Sequence, residues 1–270
     1  MSDPRPIGVF DSGVGGLTVA AAIARALPGE SILYLGDTAR LPYGTKSADT
    51  VARYTERNLD FLAARGVKAV VVACNTASAL ALPRLAPRLP LWGVVEPGAA
   101  RAAATSRGRV GVIATEATIR SGAYAAALRA LRPELAILSE ACPLLVPLVE
   151  EGWLDDAVTE SVVRRYLAPL VAAEIDTLVL GCTHYPLLAP LIARVAGESV
   201  TLVDSAEAVA ARVAADLAAS GALAPAGDRH DHVCVTDDAE RFAQLARTIL
   251  GREVLLELVD IGEPRGRRTP

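Results

Sequence analysis

The chain reads as an α/β protein of two pseudo-symmetric domains, each a mainly parallel sheet covered by helices, with its site in the cleft between them. Three features predict this. Short apolar runs alternate along the 270 residues with longer, Ala-rich segments of helical spacing, the pattern of parallel sheets lying between layers of helix. A composition of 52% hydrophobic and 21% charged residues, with mean hydropathy +0.34, supports a sizeable core. The order of strand followed by polar turn also occurs twice.

The candidate strands are 7–10, 31–35, 68–73, 92–95, 109–114, 135–138, 176–180 and 200–203. Between the second and third, Val51, Tyr54, Leu59 and Leu62 recur at helical intervals. Ile7-Gly8-Val9-Phe10 opens into Asp11-Ser12-Gly13, and Val110-Gly111-Val112-Ile113-Ala114 opens into Thr115. Some sixty-odd residues after each comes an apolar run that ends in a cysteine and a polar turn. The first is Val70-Val71-Val72-Ala73-Cys74-Asn75-Thr76, the second Leu178-Val179-Leu180-Gly181-Cys182-Thr183-His184. Two such halves facing each other form a cleft with one cysteine on each wall. Breaks between them fall near Glu96-Pro97-Gly98 and Val203-Asp204-Ser205. Then follow a helix pattern over 205–218, a Gly/Pro/Asp loop over 221–231 and a β-α-β reading to 258, expected to return to the first half. The first domain is thus 1–97 plus 208–270, and 98–207 is inserted into it.

The net charge is −4, with no basic block in the folded region, so nucleic acid is not an expected partner. Arg265, Arg267 and Arg268 stand among Gly and Pro residues and read as a solvated end. No apolar run reaches the roughly 18–20 residues that span a bilayer, and the first ten residues lack the pattern of a secretion signal. A cytoplasmic protein is expected, away from membranes, its four cysteines kept as thiols. No CxxC or HExxH pattern occurs, and His230 and His232 beside Asp231 read as solvated, so no metal is expected. The two lysines are Lys46, in a loop, and Lys68, leading into a strand. Neither reads as the buried, activated amine of a pyridoxal Schiff base, and no cofactor is expected.

In open parallel sheets, ligands bind beyond the carboxyl ends of the strands, where both cysteine turns fall. A lone cysteine after a strand is commonly a small buried hydrophobe, the reading given to Cys142 and Cys234. Two in matched polar turns suggest more. Thiols on opposite walls reach one carbon from opposite sides, as a racemase requires: one base removes a proton and one acid returns one. A thiol pKa near 8.5 lets small fields decide between thiol and thiolate. Asp11 and His184, each at a strand end, are the groups placed to tune the pair; Asp11 or Ser12 also reads as a helix cap. Asp11-Ser12-Gly13-Val14-Gly15-Gly16 is a Gly-rich turn that matches neither dinucleotide nor P-loop patterns, and suits a carboxylate. Asn75, Thr76 and Thr183 offer donors beside the thiols, though such residues are also ordinary turn formers. Pro42-Tyr43-Gly44 forms a turn suited to substrate contact.

Taken together, the motifs resemble glutamate racemases of the aspartate/glutamate racemase superfamily. The resemblance rests on Phe10-Asp11-Ser12-Gly13-Val14-Gly15-Gly16-Leu17, on Gly36-Asp37-Thr38-Ala39-Arg40-Leu41-Pro42-Tyr43-Gly44, on Ala73-Cys74-Asn75-Thr76-Ala77 and on Gly181-Cys182-Thr183-His184-Tyr185-Pro186. Cys142-Pro143, Val146 to Glu150 and the stretch around Thr115 and Thr118 extend it. It implies cofactor-independent interconversion of L- and D-glutamate, supplying D-glutamate for peptidoglycan, in a homodimer. Cys182 would take the α-proton of L-glutamate and Cys74 that of D-glutamate, assisted by Asp11 and His184, with Asp37 and Glu150 as weaker acidic assistants. Asp11, Ser12, Pro42, Tyr43, Gly44, Asn75, Thr76, Thr115, Thr118, Thr183 and His184 would bind substrate. Closure of the lobes, hinged around Pro97-Gly98 and Val203-Asp204, would exclude water. Rival readings are a sister racemase for aspartate or another small acid, and a bilobed amino-acid-binding protein. A thiol redox protein lacks CxxC, and a thiol hydrolase leaves the second cysteine turn unexplained.

Overall fold

The computed structural model describes residues 2–86, 88–225, 227 and 229–262; Arg265, Arg267 and Arg268 lie outside the described residues. The first half runs β1 (Ile7–Asp11), α1 (Leu17–Ala26), β2 (Ile32–Gly36), α2 (Ala48–Ala64), β3 (Ala69–Val72), α3 (Asn75–Leu80), β4 (Leu91–Gly93) and α4 (Val95–Thr105). The second runs β5 (Arg109–Ala114), α5 (Glu116–Ser121), α6 (Ala123–Leu131), β6 (Ala136–Ala141), α7 (Leu145–Glu150), α8 (Ala157–Ala172), β7 (Thr177–Gly181), α9 (Ala189–Ala196) and β8 (Thr201–Asp204). Helix α10 (Ser205–Ala219), β9 (His232–Val235), α11 (Ala239–Leu250) and β10 (Leu256–Leu258) complete the described chain.

Two parallel sheets result, ordered β10-β9-β2-β1-β3-β4 and β6-β5-β7-β8. The block β2-β1-β3-β4 and the whole second sheet are one arrangement built twice, so the duplication expected from strand spacing is real in three dimensions. The 205–258 stretch returns to the first sheet: β9 pairs with β2, and Leu35 stands level with Cys234. Strands β1, β2, β3 and β7 are buried along their whole length, which is why each is a near-continuous apolar run. Helix α1, too short to persist alone, is held by Leu17, Val19 and Ile23 in a core shared with Val209, Val213 and Leu217 of α10. Burying each such side chain is worth about 1.5–3 kcal/mol.

Three expectations need correction. The strand expected at 92–95 stops at Gly93, because Val95-Glu96-Pro97 open α4; a proline in a first helical turn loses only an N–H that has no partner in the helix. Pro97-Gly98 therefore lies within a helix, while Asp204 caps α10 by accepting from Ala206 N–H at 2.8 Å. Neither Asp11 nor Ser12 caps α1, whose N-cap is Gly16; Asp11 turns back to accept from Gly13 N–H at 3.0 Å. Lys68, not read as a buried amine, is buried. Its ammonium meets Glu30 Oε2 at 2.6 Å and donates to the carbonyls of Asp3 and Ala222 at 2.9 and 2.8 Å. Two hydrogen bonds and one ion pair engage the ammonium, at the end of β3 remote from Cys74. Among the described residues, no helix is long and apolar enough to cross a membrane.

Candidate active site

Four strand ends build the site. Asp11 ends β1, Cys74 follows β3, Thr115 follows β5 and Cys182 follows β7. Ala73 N–H donates to Phe10 O at 2.8 Å, which sets the Cys74 turn beside the Asp11 turn. The register Ala114 to Gly181 does the same for Thr115 and Cys182.

Cys74 is 5% and Cys182 7% exposed. Cys74 caps α3: its sulfur accepts from Ala77 N–H at 3.5 Å, and its thiol donates to Ser12 Oγ at 3.5 Å. Burial and the nearby Asp11 carboxylate push the Cys74 thiol up to about 12, against the pull of the Ala77 and Ser12 contacts. It rests as a thiol. Cys182 has a different neighbour, His184, whose Nδ1 lies 3.9 Å from the sulfur. On its other side, His184 Nε2 is 3.3 Å from Glu150 Oε1. Burial works to depress His184, but Cys182, Glu150 and Asp11 outweigh it and raise the imidazole to about 10. Asp11 is fully buried and its carboxyl is held above the usual range by that burial, opposed by His184 and by donors from Gly13, Gly16 and Thr183.

The two halves meet through side chains from both cysteine turns. Thr183 Oγ1 donates to Asp11 Oδ1 at 3.4 Å, joining the second cysteine turn to the first strand end. Thr76, Thr115 and Thr118 form a hydroxyl triangle with edges of 2.9, 3.1 and 2.9 Å. Each hydroxyl has one proton, so a closed ring spends all three; to donate to a carboxylate, one edge must open. Gly44 abuts this triangle, since a Cβ there would lie 2.8 Å from Thr115 Cβ. Asn75 Oδ1 accepts from Tyr124 Oη at 2.6 Å, while its Nδ2 is buried without a partner among the described residues.

The acidic assistants separate. Glu150 ends α7 against His184. Asp37 is spent on structure: it accepts from the Tyr43 hydroxyl, from Asn58 Nδ2 at 3.2 Å, from Arg40 at 3.2 Å and from Thr236 Oγ1 at 3.2 Å. It holds the Pro42-Tyr43-Gly44 turn, in which the Leu41–Pro42 peptide is cis. Cys142 is buried among apolar neighbours, and Cys234, also buried, donates to Glu257 Oε2 at 3.6 Å. His230 and His232 are exposed, and no cluster of three or more His, Cys, Asp or Glu suited to a metal occurs among the described residues.

The pattern of the Asp/Glu/Hydantoin racemase family matches residues 7–213. The chain belongs to that family. It is 53% identical over 251 residues to a glutamate racemase of Geobacter metallireducens, covering 92% of this chain and 93% of the relative. Its fold matches glutamate racemase isoform RacE1 from Bacillus anthracis with a TM-score of 0.92 at 42% identity, covering 95% and 97% of the two chains. It matches the Francisella tularensis glutamate racemase solved in complex with D-glutamate with a TM-score of 0.90 at 36% identity, covering 96% and 98%.

Three further side chains that support the site carry no signal in the sequence. Arg241 on α11 reaches Glu151 at 3.1 Å and Glu150 at 4.0 Å, clasping the second half from the first. Asn58 sits behind Tyr43. Tyr124 holds Asn75. No local motif marks any of them; the one trace of Tyr124 is an aromatic in an Ala-rich helix of a chain with 6 Tyr.

Proposed function

We propose that the protein racemises glutamate by a two-base mechanism in which Cys74 and Cys182 work from opposite faces of the α-carbon. The observation that carries this is the duplication: two buried cysteines at equivalent strand ends of two equivalent sheets, each with its own polar partner. Relatives named glutamate racemase at about half identity over nearly the full chain favour glutamate over aspartate, a difference of one methylene that a pocket resolves by only about 1–3 kcal/mol.

In the L-to-D direction, Cys182 removes the α-proton. A protonated His184 beside it supports negative charge on the sulfur. Cys74, held as a thiol, delivers a proton to the opposite face. In the D-to-L direction the roles reverse, and Asp11 stands next to the Cys74 side to help its deprotonation. Acid–base positioning supplies about 10²–10⁴-fold. The rest of the barrier is met by a buried site whose donors stabilise an enediolate-like carboxylate. Ser12, Asn75, Thr76, Thr115, Thr118, Thr183 and the N–H groups of the Gly-rich turn supply those donors, and the Pro42-Tyr43-Gly44 turn closes over them. Since both thiols are nearly buried, glutamate reaches them when the halves part. We place the domains at 1–97 plus 208–270 and at 98–207. Supply of D-glutamate for peptidoglycan, a cytoplasmic location and a homodimer complete the reading.

The test is racemisation in D₂O with no added cofactor, followed by circular dichroism and by proton NMR at the α-position. Wild type should lose optical rotation while incorporating α-deuterium. Cys74→Ser and Cys182→Ser should each lose about 10²–10⁴-fold in racemisation. Activity with aspartate alone would move the substrate and keep the mechanism. No α-exchange with either acid would remove the racemase reading in favour of a binding protein.

A further inference from the structure

One buried tyrosine touches both half-sites. Tyr124, on α6, is 3% exposed. Its ring lies against Gly181, the residue before Cys182: a Cβ on Gly181 would sit 3.1 Å from Tyr124 Cε2. Its hydroxyl donates to Oδ1 of Asn75, the residue after Cys74, at 2.6 Å. The same oxygen stands beside Gly98 and Ser205, since a Cβ on Gly98 would lie 3.3 Å from Tyr124 Oη and 3.2 Å from Ser205 Cβ. Gly98 is on α4 and Ser205 begins α10, the two helices by which the chain crosses between sheets. A rigid ring with two torsions thus bridges the immediate neighbours of both cysteines at the crossing point of the chain.

The Asn75 amide shows what this contact does. An amide has one acceptor end and one donor end. With Oδ1 held by the phenol, the NH₂ must face the other way, where it is buried with no partner among the described residues. Buried polar groups are nearly always satisfied, and an orphan calls for an explanation. A donor beside Cys74, oriented in advance, is what a substrate carboxylate would complete. Without the phenol the amide could turn over and present an oxygen to that carboxylate instead.

We propose that Tyr124 is a positioning residue: it fixes Asn75 as a donor to a substrate carboxylate and braces the two cysteine turns against each other. The proposal rests on the glutamate-racemase reading above.

The experiment measures kcat and KM in both directions for wild type, Tyr124→Phe, Asn75→Ala and the double variant. Tyr124→Phe keeps the ring on Gly181 and removes only the donor. KM should rise about tenfold, the loss of one oriented hydrogen bond, with kcat reduced much less. The same rise should vanish in the Asn75→Ala background, making the pair non-additive. Gly98→Ala gives a second reading that leaves Tyr124 in place and improves the intrinsic helix propensity of α4. Its methyl crowds Tyr124 Oη and should raise KM about two- to threefold in the wild-type background only, a fraction of one hydrogen bond. Additive effects of Tyr124→Phe and Asn75→Ala, or a wild-type KM in Tyr124→Phe, would overturn the assignment while leaving racemisation intact. Absence of α-proton exchange in wild type would instead remove the racemase reading, and this inference with it.

Discussion

Substituting Gly15 with Ala tests the junction of the two halves directly. Gly15 lies on the Gly-rich turn of the first half and faces the Cys182 turn of the second. A Cβ there would sit 2.5 Å from Thr183 Oγ1 and 2.7 Å from His184 Nδ1, where ordinary contact begins at 3.4 Å. Neither neighbour is free to yield. Thr183 is tied to Asp11, and His184 lies between Cys182 and Glu150. Gly15 is outside the left-handed region, so its backbone accepts alanine and the whole conflict is between side chains. The two turns must part by about 1 Å, and a misplacement of that size can cost about 10²-fold in rate. Overpacking of this kind costs about 1–3 kcal/mol of stability, which leaves the protein folded. The assay is loss of optical rotation from L- and from D-glutamate, with thermal melts alongside. Gly29→Ala serves as the control, because nothing lies within 4 Å of its added Cβ. Gly15→Ala enzyme racemising within about threefold of wild type, under 1 kcal/mol in the barrier, would refute the claim that this contact sets the spacing of the site.

The His184 imidazole has a folded pKa of about 10 against an ordinary 6.5, so the folded state holds the extra proton. Its stabilisation is whole below about pH 6.5 and lost as pH rises through about 10; wild type should lose its margin over His184→Asn across that window in denaturant titrations, and a constant margin would contradict the assignment. Lys68→Met should cost about 3–5 kcal/mol by leaving Glu30 buried and unpaired, and Glu30→Gln added to it should recover part of the loss. The rate per folded molecule should stay at the wild-type value, measured by active-site titration, whereas a rate collapse would give Lys68 a chemical role. Asp37→Asn should raise KM more than it lowers kcat, by about tenfold for weakened charged hydrogen bonds to the Tyr43 turn; a fall in kcat at constant KM would make Asp37 a participant in proton transfer.

The strand ends were legible because local chemistry sets them. Val70 to Cys74 and Leu178 to Cys182 carry their own account: a buried parallel strand is continuously apolar, and the first polar residues after it lie at the sheet's carboxyl edge. The repeated spacing from Asp11 to Cys74 and from Thr115 to Cys182 foretold two equivalent sheets. Capping misled at Asp11, where the side chain prefers the Gly13 N–H two residues on to the helix that starts at Leu17. Lys68 misled because a lysine entering a strand is ordinarily solvated, and Glu30, Asp3 and Ala222 converge on it only after folding.

Pattern and spacing therefore determined the fold class, the two cysteines and most of their adjoining donors, since each depends on residues close together in the chain. The tertiary structure decided the rest. Whether Thr76 meets Thr115 and Thr118, whether Tyr124 holds Asn75, and whether Arg241 reaches Glu150 depend on how one sheet is set against the other. That setting is fixed by buried surfaces and close approaches, such as those at Gly15 and Gly44, between residues far apart in sequence, and no local periodicity encodes it.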